Sequence, residues 1–140
     1  MKRISVNARF INKAGDNLIE SKIHTIRQNY EFWKKFQGKE LALFTWEGKA
    51  YRSKQKVFCV KKLFYVQKLY LECRVMTENG DKALPDYYVN DYWCNPILVP
   101  KRKIAKNDGF DCADELDDWA FNHGWDDGVM AILHFTDFEY

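Results

Sequence analysis

The sequence predicts a single α+β domain with about six strands and two or three short helices. Three observations carry that expectation. Between residues 40 and 73, short apolar or alternating runs are divided by turn residues, as in a strand-rich sheet. Residues 111–124, DCADELDDWAFNHG, combine an acidic start with apolar side chains at helical spacing. Residues 128–138, GVMAILHFTDF, form a continuous apolar run, the mark of a central strand buried on both faces. The chain has 140 residues, the usual length of one domain, and at that size roughly 68–70% of the unfolded surface can be buried.

The elements follow in order. ISVNARFI (4–11) has the β-branched and aromatic content of a first strand, and NKAGDN (12–17) is a polar turn around Gly15. LIESKIHTIRQNY passes from a short helical or looped approach into an extended segment. NYEFWKKFQ (29–37) predicts a short helix with Phe32, Trp33 and Phe36 on one side, ended by Gly38. ELALFTW (40–46), KVFCV (56–60) and LFYVQKLYLEC (63–73) are the middle strands, and TENGDK (77–82) is the strongest turn signal. Residues 83–100 hold all three prolines and the cluster YYVNDYW, and read as a structured excursion rather than a regular element. In the acidic helix, Asp111 is placed to cap, Cys112, Leu116, Trp119 and Ala120 share a face, and His123–Gly124 marks the end.

Hydrophobic residues make up 46% and charged residues 30%, the balance of a soluble globular domain. Aromatics reach 16%, a supply that serves cores and also base-stacking pockets. The 22 basic and 20 acidic residues leave a net charge of +2, too small to argue for a polyanion-binding protein. Distribution says more: KKFQGK (34–39), RSKQK (52–56) and VPKRKIAK (99–106) are basic, whereas acidic residues gather in 111–127. Cys59, Cys73, Cys94 and Cys112 are widely spaced with no CxxC pair, which argues against a zinc ribbon or a redox dithiol. MKRISVNARF has no apolar signal core and no run reaches membrane-span length. The expectation is a cytoplasmic monomer or small homo-oligomer with reduced thiols and no membrane association.

Motifs for nucleotide loops, zinc proteases and serine hydrolases (a Walker loop, GxGxxG, HExxH, GxSxG) are absent, so no cofactor is expected. His24, His123 and His134 lie far apart, so no metal site is expected either. His134, inside the last apolar run, reads as a hydrogen-bonded core or pocket-edge histidine. What remains is KIHTIR (22–27), with an amine, an imidazole, a hydroxyl and a guanidinium in six residues. In a straight strand Lys22 and Thr25 fall on opposite faces, so they meet only if the chain bends between them. A buried lysine beside a hydroxyl is a candidate base, and arginine forks onto phosphate or carboxylate. A polar strand edge held by salt bridges is the plainer reading of the same residues.

KIHTIR resembles the GxKxxTxR signature of the ASCH family, with Glu20 where the signature opens on glycine. NYEFW, GKAYRSKQ and NDGF are also similar to segments of small ASCH-type proteins of gut Bacteroidetes and their phages. A strand-rich middle, then IAKNDGFDCADELDDWAF, then MAILHFTDFEY, matches the family's order of barrel strands, helix pair and closing strand. The resemblance implies a PUA-like (ASCH) mixed-strand β-barrel over residues 1–140, with two or three short flanking helices. One branch of the family removes the acetyl group from N4-acetylcytidine, using the motif's Lys and Thr with a Glu near the later helix. These positions fall on Lys22, Thr25 and Asp108, the last one methylene shorter than Glu, with Glu72 a weaker substitute. The resemblance therefore implies Thr25 as nucleophile, Lys22 as its base and Asp108 as the carboxylate that orients it.

Three functions follow from these readings. The first is a module binding RNA or a modified nucleoside or nucleotide in a polar cleft at the motif, with His24, Arg27, Trp33, Trp46, Tyr51 and Arg52 around the ligand. The second is an amidohydrolase acting on N4-acetylcytidine or a related N-acylated base. The third is a protein-interaction or host-interference factor using YYVNDYW as an adhesive surface, for which an exposed aromatic patch is the discriminating feature.

Overall fold

In the computed structural model, residues 1–7, 22–72, 85–91, 94–122 and 129–140 are described. They contain β1 (Lys2–Ser5), β2 (His24–Gln28), α1 (Tyr30–Lys34), β3 (Glu40–Trp46), β4 (Gln55–Lys62), β5 (Tyr65–Glu72), β6 (Asp86–Asp91), β7 (Cys94–Val99), α2 (Lys101–Asp108), α3 (Ala113–Asn122) and β8 (Val129–His134). The protein is α+β and strand-rich. β1, β3 and β4 form one sheet, with β1 parallel to β3 and β4 antiparallel to it. The second sheet has the order β2-β8-β5-β6-β7 and is antiparallel throughout.

The five-stranded sheet is the middle layer. On one face Ile26, Leu69, Met130 and Ile132 pack against Ile104, Ala105, Leu116 and Ala120 of α2 and α3. On the other, Val66, Ala131 and Leu133 meet Ile4, Leu41 and Leu43 of the smaller sheet and Trp33 of α1. β8 sits between β2 and β5 and faces apolar neighbours on both sides. That is why its sequence is continuously apolar rather than alternating. The middle strands and α1 lie where the sequence places them, although α1 ends at Lys34 and Gly38, at φ 86°, closes the turn that follows it.

Some expectations are corrected. Asp86–Asp91 and Cys94–Val99 are paired antiparallel strands, β6 and β7, with Tyr87 and Val89 buried and Tyr88 half-buried at the strand period. The prolines concealed them. Pro96 lies in β7, an edge strand where a missing N–H disturbs no second ladder. Left-handed Asn90 (φ 71°) and Asn95 (φ 57°) absorb an irregular register. Cys112 precedes α3 and is exposed instead of joining Leu116 on the buried face. Eight strands, not six, lie among the described residues. The two sheets are not closed into a barrel: β1 and β2 are the edges that face each other, and no ladder joins them among the described residues. The first strand, expected at 4–11, runs Lys2–Ser5; residues 8–11, the turns expected at 12–17 and 77–82, and the helix end at His123–Gly124 lie outside the described residues.

Candidate functional site

The gap between the β1 and β2 edges holds a cavity of about 580 Å³, within the range of small-molecule sites. Ser5, Val6 and Asn7 line one side and Lys22 and Thr25 to Gln28 the other. Trp33, Tyr51, Asp108, Phe110 and Trp119 complete it. Lys22 and Thr25 both line this cavity, with Lys22 ahead of β2, which begins only at His24. Thr25 and Arg27, two apart on the strand, share a face: Arg27 Nη1 donates to Thr25 Oγ1 at 2.9 Å.

The residues NDGF explain how Asp108 arrives there. Gly109, at φ 91°, ends α2 in the left-handed region that glycine adopts without strain. Its N–H bonds Lys106 O at 3.1 Å and the N–H of Phe110 bonds Ala105 O at 2.8 Å, a Schellman ending. Two further carbonyls at this helix end are taken from the approach to β2. Ile23 N–H donates to Asn107 O at 2.8 Å, and Lys22 Nζ donates to Asp108 O at 2.7 Å. The turn returns Phe110 to the cavity wall.

A carboxylate at a helix C-terminus meets the negative end of the dipole and needs compensation. Asp108 is buried, and Lys22 Nζ lies 3.3 Å from its Oδ1. His24 supplies a second contact, with Nδ1 3.2 Å from the same oxygen. Behind it, Tyr140 Oη is 2.7 Å from His24 Nε2, and Asn107 Nδ2 donates to Tyr140 Oη at 2.9 Å. Burial lowers the His24 pKa, while its hydrogen bond to Asp108 opposes that shift and the Lys22 charge adds to it. A neutral His24 then donates from Nδ1 to Asp108 and accepts from Tyr140 at Nε2. Burial raises the Tyr140 phenol, which keeps that donor proton in place.

His134 lies opposite His24 in the β2–β8 ladder, the rings edge-on with centroids 5.5 Å apart. Its Nε2 bonds Gln67 Oε1 at 2.8 Å, while its buried Nδ1 has no hydrogen-bond partner among the described residues. Burial, and secondarily the neighbouring His24, lowers its pKa to about 3. It is the hydrogen-bonded core histidine that the sequence suggests.

The structure thus brings Lys22, Thr25, Asp108, Arg27, Trp33 and Tyr51 to one cavity. His24 stands behind Asp108, off the cavity wall. Trp46 packs against Phe44 and Tyr51, each at 5.3 Å between centroids, and buttresses Tyr51 rather than lining the cavity. Arg52 is exposed in the β3–β4 connection, outside the lining, and Glu72 lies at the end of β5, also outside it. The lining residues Phe110 and Trp119 and the supporting pair Asn107 and Tyr140 carry no such role in the sequence reading. Trp119 was legible only as part of a helix face, and nothing local marks Tyr140. Among the described residues no cluster of three metal-ligating side chains occurs, and no helix is long and apolar enough to cross a membrane. The site defines a class, a strand-rich protein with a charged and aromatic pocket where two sheet edges meet. No protein-family model, curated protein or solved structure matches the chain.

Proposed function

We propose that the cavity receives a single nucleobase, presented by RNA or by a modified nucleoside or nucleotide, and that the chain is a cytoplasmic binding module of the ASCH, PUA-like kind. One observation carries this reading: the same cavity has the polar groups of KIHTIR on one side and Trp33, Tyr51, Phe110 and Trp119 around it. A base needs ring faces to stack on and donors or acceptors for its edge, and this wall offers both. Tyr51 supports the reading further. The residue is 89% exposed at the cavity, with a left-handed backbone at φ 64°. On this reading the two sheets are the halves of a PUA-like barrel whose β1–β2 seam holds the ligand, and the bond from Arg27 Nη2 to Ser5 O spans that seam.

The test is a panel of nucleosides and nucleotides, N4-acetylcytidine among them, read by thermal stabilisation and calorimetry. A member that binds is expected to lose about tenfold to a hundredfold in affinity in Tyr51→Ala, the range for one lost base–aromatic stack. The melt of Tyr51→Ala without ligand should match the parent, because the ring is exposed. If no member of the panel stabilises the protein, the reading is wrong.

A second reading, the amidohydrolase, is favoured by one distance. Although Asp108 is a methylene shorter than the family's glutamate, its carboxylate still reaches Lys22 at 3.3 Å. In that reaction Thr25 Oγ attacks the acetyl carbonyl of N4-acetylcytidine, and its proton passes through the Lys22–Asp108 pair to the departing cytosine amine. Water then hydrolyses the acetyl-threonine. Mass spectrometry with Thr25→Ala alongside tests it: Thr25-dependent loss of the acetyl group establishes the reaction, and no turnover leaves binding alone.

A further inference from the structure

The charged residues lining the cavity are Lys22, Arg27 and Asp108, two positive and one negative, so the lining carries a net charge of +1. Asp108 is already engaged by Lys22 and His24. Arg27 has no such counterpart. Nη1 uses both hydrogens, on Thr25 Oγ1 at 2.9 Å and Ile26 O at 2.7 Å, and Nη2 uses one, on Ser5 O. All three acceptors are uncharged. The second Nη2 hydrogen and the Nε–H have no partner among the described residues.

A guanidinium fixed on its other donors, beside a cavity, with two N–H groups to spare, is arranged to receive an oxyanion. Burial works against its charge and lowers its pKa, with the carboxylate of Asp108 opposing this from a distance. A bound anion would relieve that cost. Three fixed bonds also mean that little side-chain freedom is lost on binding.

We infer that the occupant carries a phosphoryl group seated on the free donors of Arg27, so that the pocket takes a nucleotide unit and not a bare nucleoside. This rests on the nucleobase reading above and adds the ligand's charge and the residue that reads it. Phosphate is favoured over carboxylate because the aromatic wall is read as a base site, and the phosphate is the anion a base is tethered to.

The experiment is calorimetry on the full chain with the four ribonucleosides, their 5′-monophosphates, orthophosphate, and short single-stranded dinucleotides, at low and high salt. At least one monophosphate is expected to bind about tenfold or more tightly than its nucleoside, the scale of a charge-assisted pair. Salt should weaken the monophosphate and leave the nucleoside unaffected. Arg27→Gln should abolish the advantage, and Arg27→Lys should restore only part of it, since an ammonium lacks the fork. Equal binding of nucleoside and monophosphate by the parent overturns the inference while the nucleobase reading stands, and needs no variant that folds. Arg27-dependent binding of orthophosphate without any nucleoside preference overturns the nucleobase reading and keeps the anion site. No binding by any of the ligands overturns both. A dinucleotide that outcompetes the free monophosphates identifies RNA as the source of the phosphate; the reverse identifies a free nucleotide.

Discussion

His134 offers the sharpest physical test. Its ring is fully buried between β2 and β5, donates to Gln67, and is neutral down to about pH 3 in the folded protein. In the unfolded chain an ordinary histidine takes up a proton near pH 6.5. Above that pH neither state is protonated, so the contribution to stability is fully present. As pH falls below 6.5 the unfolded state binds a proton that the folded state does not, and stability declines until pH approaches 3. For a folded pKa of about 3, the loss between pH 7.5 and pH 5 is about 2 kcal/mol. His24, also lowered by burial, adds a loss of the same sign. Domains of this kind have a stability of about 5–15 kcal/mol, so the effect is a sizeable fraction of the whole.

The perturbation is His134→Gln, which removes the titrating ring and keeps an N–H that can donate to Gln67 Oε1. Urea unfolding of parent and variant at pH 7.5, 6.5, 5.5 and 5.0 gives the two profiles, with equal m-values required for comparison. The variant is expected to lose about 2 kcal/mol less than the parent over that range. Parallel profiles would refute the argument, since they would mean that the folded ring protonates normally. The imidazole resonances of His134 provide a direct check: they should not titrate between pH 7.5 and pH 5.

Two other outcomes follow from the helix end that carries Asp108. Lys22→Met leaves a buried carboxylate with only His24 against it, and should cost about 3–5 kcal/mol by urea unfolding; adding Asp108→Leu should recover much of that loss, and a double variant as unstable as the single would show that the pair is not the cause. Gly109→Ala forces a Cβ into a left-handed position at φ 91° and should cost about 1–2 kcal/mol, with a melt unchanged from the parent showing that α2 ends in another way.

The sequence made some of this legible and concealed the rest for physical reasons. The helix α3, with one dominant period, could be read directly, and so could β3 and β8, whose apolar runs mark strands with buried residues on both faces. The β6–β7 pair could not, because Pro96 and two left-handed asparagines are strand-breaking signals that an edge strand tolerates. At the site, KIHTIR stood out by composition, yet strand alternation alone would have separated Lys22 from Thr25. The structure brings both to one cavity, with Lys22 ahead of β2 and the N–H of Ile23 bonded to the end of α2.

The supporting shell was hidden for a different reason. Tyr140 meets His24 across 116 residues of sequence and Asn107 across 33, and neither partner carries a local pattern. The same contacts show why the carboxylate at position 108 is a short one. A side chain's reach is measured from its backbone, and here the backbone itself lies against Lys22, whose Nζ is 2.7 Å from the Asp108 carbonyl and 3.3 Å from its carboxylate. An extra methylene would have to displace Lys22 or His24 in a buried site, at a cost of about 1–3 kcal/mol for overpacking. The aspartate therefore fits this helix end, and Asp108→Glu would not be a conservative change.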